Sequence, residues 1–261
     1  MKILFIGDIV GRIGRRMIKD YLPGIVEKYH IDFVIANGEN ASHGKGLLRH
    51  HYFELIESGI DVITLGNHYE SKKELRGYID RVDRLVRPLN LIHEYPGDGS
   101  VVFDVNGISV RVTNILGTAF MKEEVNNPYY SLVECLDQAE EQATIHIVDY
   151  HAEATGEKIC FAYAFDGKVS AVIGTHTHVQ TRDYRILEGG TAFISDVGMT
   201  GLYDGALGFD KETVVNKLMY GNQTRFDLPN EGRGLFSAVV LDVDDNSGQC
   251  IEIFPIYQIE K

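Results

Sequence analysis

Cysteine is scarce in this chain of 261 residues: Cys135, Cys160 and Cys250 are odd in number and far apart. With no CxxC pair, neither a disulfide framework nor a thiolate zinc site is expected, and a reducing, cytoplasmic setting fits best. Basic residues are also few. Lys and Arg total 25 against 38 Asp and Glu, a formal net charge of -13. Such a surface repels a phosphate backbone and argues against broad binding to duplex nucleic acid. It does not exclude a small phosphorylated substrate held through bound cations, whose local charge outweighs the global sign. No run approaches the roughly 20 apolar residues that span a bilayer. The opening MKILFIGDIV is too short and too strand-like for a signal peptide, so a soluble protein with no membrane partner is expected. No GxGxxG occurs, and Gly11 and Gly14 alone are a weak sign of a dinucleotide loop.

What is present alternates. Strand patterns at 3–6, 32–37 and 61–67 are separated by helical patterns at 17–29 and 47–57 and followed by the helix-like SKKELRGYIDRV. This β-α-β-α-β order predicts an α/β sheet that is at least partly parallel. Then VVFDVNGISVRVTNIL alternates about Asn106-Gly107, the strongest short hairpin signal. A helix over YYSLVECLDQAEEQ, strands in TIHIVDY, KVSAVIGTH and TAFISDVG, a helix from Lys211 to Tyr220, and a closing hairpin of LFSAVVLDVD with QCIEIFPIYQI complete the expectation. No linker or repeat interrupts the chain, so one domain over 1–261 with a mixed two-sheet core is the simplest reading.

The residues that follow the strands carry the chemistry. They are Asp8, then Glu39 and Asn40 in NGEN, Asn67 and His68 in GNH, His151, and His176 and His178 in GTHTH. Ligands of open α/β sheets bind outside the carboxyl ends of the strands, so five loops deliver these polar groups to one edge. Each has a plain alternative: Asp8 a helix cap, Asn67 a turn residue, Glu39 a solvated charge, His151 a core histidine. Four histidines and two carboxylates together point instead to metal. Carboxylate, carboxamide and imidazole without thiolate suit manganese, iron or zinc. There are too many ligands for one tetrahedral ion. Two ions roughly 3.5–4 Å apart, sharing a carboxylate, would clamp both oxygens of an in-line displacement.

Asp8, Gly66-Asn67-His68, His151 and the late His-x-His at 176–178 resemble the calcineurin-like metallophosphoesterase superfamily. The chain departs from its general Asp-x-His and Gly-Asp motifs, having Val10 in place of the histidine and Gly38-Glu39-Asn40 in place of Gly-Asp. Those departures, with the runs LFIGDIVGRIGR, NGENASHGKGL, LGNH, DYHAEAT, GTHTHVQT and DVGMTGLYDG, are similar to the bacterial YmdB-like phosphodiesterases over nearly the whole chain. The resemblance implies a four-layer αββα sandwich, two mixed sheets flanked by helices. It implies a cyclic-nucleotide substrate, chiefly 2',3'-cyclic, and association into homo-oligomers. It implies two divalent or mixed-valence metal ions, iron or manganese, with zinc possible. One ion would take Asp8, Glu39, Asn40 and His178, and the other Glu39, Asn67, His151 and His176. Glu39 would then be the bridge, and His68 the acid.

The reaction expected is attack in line by a hydroxide held between the metals, with His68 protonating the leaving alkoxide, so that a 2',3'-cyclic nucleotide becomes a 3'-nucleotide. A phosphomonoesterase on the same scaffold is the nearest alternative, and a regulatory nucleotide- or metal-binding protein the next. A metal amidohydrolase is disfavoured because there the His-x-His lies on the first strand of a barrel. Tyr69 stands where many superfamily members carry an acidic residue, so the partner that orients His68 is open. Arg12 near a helix start, and His43 and Lys45 in SHGKG, are candidates for the pocket mouth. Glu153 and Asp196 are candidates for hydrogen bonds to ligand histidines, and 197–208 for a site-shaping loop.

Overall fold

The computed structural model describes residues 1–138, 143–221 and 226–261. The amino-terminal part runs β1 (Lys2–Ile6), β2 (Asp8–Ile9), α1 (Gly11–Tyr29), β3 (Phe33–Asn37), α2 (Arg49–Glu57), β4 (Val62–Thr64), α3 (Leu75–Tyr78) and β5 (Leu85–Val86). Next come β6 (Ser100–Val105), β7 (Ile108–Leu116), α4 (Pro128–Asp137), β8 (Ile145–His151), α5 (Thr155–Ala164) and β9 (Ala171–Thr175). The chain closes with β10 (Arg185–Ile186), β11 (Ala192–Ile194), β12 (Met199–Leu202), α6 (Lys211–Tyr220), β13 (Gly234–Val243) and β14 (Cys250–Ile259).

Among the described residues these strands make two mixed sheets. In the first, β1, β3, β4 and β5 are parallel, and β1 also pairs with antiparallel β13, which carries β14 and the short β12–β2 pair. In the second, β7, β8, β9 and β11 are parallel, flanked by antiparallel β6 and β10. Side chains alternate across a strand, and the alternation builds four layers. Ile3 and Phe5 meet Ile145, Ile147 and Ile173 between the sheets. Leu4 and Ile6 face Ile13, Met17 and Leu55 of the first helical layer. Val148, Tyr150 and Val172 face Phe161 and Phe165 of α5 on the other side. The expected αββα sandwich is therefore observed.

The hairpin at Asn106-Gly107 forms with both residues at positive φ (55° and 85°) and Val105 opposite Ile108, as a tight right-twisted turn requires. α1 starts six residues before the helix read from the pattern, at Gly11. Gly14 looks like a helix breaker, yet any Cβ there would collide with the Thr200 carbonyl oxygen, so the glycine is what lets the helix lie close on β12. SKKELRGYIDRV forms only the short α3 and a 3-10 turn at Ile79–Arg81. The expected helix 129–142 is seen as α4, its last four positions lying outside the described residues. α5 was not anticipated, because its buried stripe contains Lys158. The stretch expected as a loop over 197–208 begins as strand β12. The three cysteines are unpaired, and among the described residues no helix is long and apolar enough to cross a membrane.

Two histidines are buried as neutral rings. His146 bonds Thr113 Oγ1 (2.8 Å), and burial together with Arg111 pushes it down to about 3. His51 bonds Ser42 Oγ (2.7 Å) and is pushed down to about 3 by burial and by Arg15. The unfolded chain takes up these protons near pH 6.5 and the folded one does not, so stability is complete above that pH and falls as pH drops from 6.5 toward 3. Denaturant melts should show the stability gap between wild type and His146→Asn narrowing through this window by up to about 1.4 kcal/mol per pH unit. A constant gap would show that His146 does not titrate on unfolding.

Candidate metal centre

The two sheets bring the carboxyl ends of their parallel strands to one edge, and all the sequence-predicted site residues meet there. Asp8 leaves β1, Glu39 and Asn40 leave β3, Asn67 and His68 follow β4, His151 ends β8, and His176 and His178 leave β9. Glu39 Oε1 lies 3.3 Å from His151 Nε2, 3.2 Å from His68 Nδ1 and 3.0 Å from Asn40 Nδ2. His151 Nε2 is 3.0 Å from both Asn67 Oδ1 and His176 Nδ1. On the other side of Glu39, His178 Nε2 is 3.2 Å from Asn40 Nδ2 and 3.9 Å from Asp8 Oδ1. Glu39, His151 and His176 thus offer donor atoms within 4.8 Å of one another, a group able to hold a metal ion, while Asp8 and His178 meet Glu39 through Asn40 Nδ2.

The histidines are held by their outward nitrogens. Thr175 Oγ1 donates to Asp149 Oδ1 (2.6 Å), so it accepts from His151 Nδ1 (2.8 Å) and leaves Nε2 facing the cluster. His178 Nδ1 donates to the Leu207 carbonyl (3.1 Å). His176 Nε2 lies 3.2 Å from Glu153 Oε2, so the expectation for Glu153 is met geometrically. Asn67 Nδ2 donates to Glu123 Oε1 (3.2 Å), which turns Asn67 Oδ1 inward. Such outer partners select the tautomer and aim of metal-binding side chains. Asp149, Thr175 and Glu123 were not found from the sequence. Asp149 had a signal, since in DYH it shares a strand face with His151; Glu123 had none.

Electrostatics shows what the cluster asks for. Asp8 and His151 are fully buried, and Glu39 is 1% exposed. Burial raises Asp8 although His178 and His151 oppose it. Burial alone would raise Glu39, but His151 and His68 hold it well below the usual carboxylate range. Burial disfavours charge on His151, yet Glu39, Asp8 and Asp149 push it up to about 9. Burial and the neighbouring His151 press His176 down to about 3. Two buried carboxylates thus draw positive charge onto the nearest base. Asn40 Nδ2 also points its protons at Glu39, His178 and Asp8. Space is kept as well: a Cβ at Gly66 would collide with Glu39 Oε2 and stand 2.6 Å from His151 Nε2. Inward oxygen and imidazole donors, uncompensated negative charge and a glycine-kept gap fit divalent cations.

The His-x-His loop is strained and anchored. His176 (φ 100°) and His178 (φ 67°) both lie in the left-handed region, which non-glycine residues rarely adopt. His176 N donates to Asp8 Oδ2 (3.2 Å) and Thr177 N to Asp196 Oδ2 (2.9 Å). Asp196 therefore grips backbone rather than the histidine rings expected for it. Lys158, 1% exposed, reaches from α5 to the Thr175 carbonyl (2.7 Å) and Asp196 Oδ2 (2.9 Å). No sequence signal marked it. His68 is oriented by Asn40 Oδ1 (2.9 Å) and Glu39, and not by Tyr69, which packs on Tyr95. Arg12, His43 and Lys45 are exposed and make no hydrogen bond to the cluster among the described residues.

Fold and donor arrangement define a metallophosphoesterase-type scaffold. A nicotinamide adenine dinucleotide nucleotidase of Haemophilus influenzae shares the fold at TM-score 0.57 and 12% identity, with 99% of this chain and 56% of that one covered. The chain belongs to the YmdB-like protein family, whose model matches residues 4–256. It is 46% identical over 253 residues to the 2',3'-cyclic-nucleotide 2'-phosphodiesterase of Bacillus subtilis (strain 168), covering 97% of this chain and 95% of that one. The crystal structure of a phosphatase from Mycoplasma pneumoniae is similar at TM-score 0.93 and 38% identity, covering 100% of this chain and 94% of that one.

Two substitutions probe this geometry. Gly66→Ala should cut metal content, measured by elemental analysis, to under half of wild type, because its methyl occupies the gap between Glu39 and His151; full loading would show that the gap is not where metal sits. Lys158→Met leaves Asp196 buried and unpaired and should lower stability by about 3 kcal/mol. It should also weaken metal binding roughly 10- to 100-fold by loosening the His-x-His loop. Unchanged affinity in metal titrations would confine Lys158 to a role in folding.

Proposed function

We propose that this protein is a dinuclear-metal phosphodiesterase that opens 2',3'-cyclic nucleotides to 3'-nucleotides. The observation that carries the reading is Glu39, buried in contact with His151 and Asn40, with His68 beside it at the rim, 25% exposed. One ion is assigned to Asp8, Glu39, Asn40 and His178, the other to Glu39, Asn67, His151 and His176. Iron or manganese suits the set, and zinc also fits. The activity of the Bacillus subtilis relative supports the substrate class. When bound, such a metal pair supplies a water-derived nucleophile at neutral pH and offsets charge on the phosphoryl oxygens.

The chain's own residues do the rest. His68, held at Nδ1 by Asn40 and Glu39, has Nε2 left for the substrate. As the bond from phosphorus to the 2' oxygen breaks, His68 gives that oxygen its proton, leaving the ribose with a free 2'-hydroxyl and a 3'-phosphate. Among the described residues no Lys or Arg side chain reaches the donor cluster from solvent. That supports a diester monoanion over a monoester dianion, which calls for more fixed positive charge. The alternative, a phosphomonoesterase, is favoured by the description of the Mycoplasma pneumoniae structure as a phosphatase.

We read residues 1–261 as a single metallophosphoesterase domain, supported by the way Glu39 of one sheet meets His151 of the other. The unpaired thiols support a reducing, cytoplasmic setting. Leu218, Met219 and Tyr220, between 67% and 77% exposed, support assembly into a homo-oligomer.

His68→Gln should lower turnover of 2',3'-cyclic AMP by roughly 10²–10⁴-fold. The loss should be much smaller on bis-p-nitrophenyl phosphate, whose phenolate leaves without a proton, and metal content should match wild type. Equal losses on both substrates, or a metal-free variant, would move the acid elsewhere. Faster hydrolysis of 3'-AMP than of 2',3'-cyclic AMP by wild type would favour the phosphomonoesterase.

A further inference from the structure

A groove of about 750 Å³ opens directly beside the metal centre, with His178 in its wall. Its size is that of a small-molecule site, and it is larger than the phosphate of a cyclic nucleotide could fill. Acidic residues make up 38 of the 261 in the chain, yet none lines this groove among the described residues. Its one fixed side-chain cation is Arg182, and three tyrosines, Tyr184, Tyr203 and Tyr257, face it. An acid-free, aromatic, weakly cationic trough on an acidic protein suits a ligand that is flat, aromatic and attached to an anion.

Leu207 joins groove to centre. It lines the groove while its carbonyl accepts from His178 Nδ1 (3.1 Å). Its φ of 53° is left-handed, a conformation costly for leucine. The turn holding it there is closed by reciprocal backbone bonds between Ala206 and Phe209 (2.9 and 3.0 Å). The groove wall is therefore preformed and registered to one of the metal-facing imidazoles. Stacking surfaces for bases work best when preformed, because less freedom is lost on binding.

We infer that this groove is the nucleoside subsite, receiving the base of the nucleotide whose phosphate sits at the metal centre, with Tyr184 and Tyr257 as its stacking surfaces. The inference rests on the cyclic-nucleotide reading above. Both tyrosines are substantially exposed (37% and 53%), so removing their rings leaves the core intact. Tyr203 is less suited to a test, since Arg233 stacks on its ring at 4.9 Å.

The test is calorimetric titration of manganese-loaded wild type and the double variant Tyr184→Ala/Tyr257→Ala with 3'-AMP and with inorganic phosphate. The variant should bind 3'-AMP roughly tenfold more weakly, the scale of a lost base–aromatic stack, and phosphate within about twofold of wild type. Several results would overturn the assignment: wild type binding 3'-AMP no more tightly than phosphate, 3'-AMP affinity unchanged in the variant, or equal weakening of both ligands. A variant with altered oligomeric state by sedimentation and unchanged 3'-AMP affinity would give the groove to a second copy of the chain. Turnover of 2',3'-cyclic AMP by wild type is measured alongside. Its absence would overturn the phosphodiesterase reading, while the titrations still decide the groove.

Discussion

Two carboxylates buried away from water, Asp8 and Glu39, are the constraint around which this structure is arranged. Charge without water is expensive unless it is paired. Around these two groups the fold places only partial compensation: the amide protons of Asn40, the backbone N–H groups of His68 and His176, and a proton drawn onto His151. A divalent cation would complete that compensation, taking the place of the proton on His151. The imidazoles of His151, His176 and His178 each fix one nitrogen on an outer partner and turn the other into the cluster. The same features that make the cluster uncomfortable alone suit it to a divalent ion.

Holding such a cluster needs a frame stiffer than its own contacts. The frame is the seam where two sheets abut. Its tightest point is the His-x-His loop, where two non-glycine residues stay in left-handed conformations. Asp8 draws on the backbone of that loop, so a candidate ligand also acts as an anchor. Lys158 and Asp196 form a second, fully buried grip from behind. A buried ion pair is weak evidence for stability. Here its placement, bonded to Thr175 and Thr177 on either side of His176, argues for position. Strain at the site is thus balanced by a buried ion pair between α5 and the segment after β11.

The centre also has a direction. The loop through Leu207 ties His178 to a groove lined by aromatic rings and, among the described residues, free of carboxylates, whereas His68 stands at the rim of the cluster. Phosphate chemistry and nucleoside recognition would share a wall, joined by the hydrogen bond between His178 and the Leu207 carbonyl.

Much of this could be read from the chain alone. Short apolar runs located the strands that lead to Asp8, Asn67, His151 and His176, because a strand buried on both faces reads as a continuous apolar run. The coincidence of donors at strand ends marked the centre, since the carboxyl edge of a parallel sheet is shared by all its strands. The Asn-Gly turn and the helix of Lys211–Tyr220 follow from local propensity. Other features depended on neighbours far away in sequence. Gly14 reads as a breaker until β12 is seen to need its missing side chain, and α5 hides behind a lysine that belongs to an ion pair 38 residues distant. Asp196 took partners other than those first expected, because hydrogen bonds are chosen by geometry that composition does not encode. The chain's sequence determined which donors gather and on which edge; only the packing of one sheet on the other decided which atom of each faces inward and what holds it there.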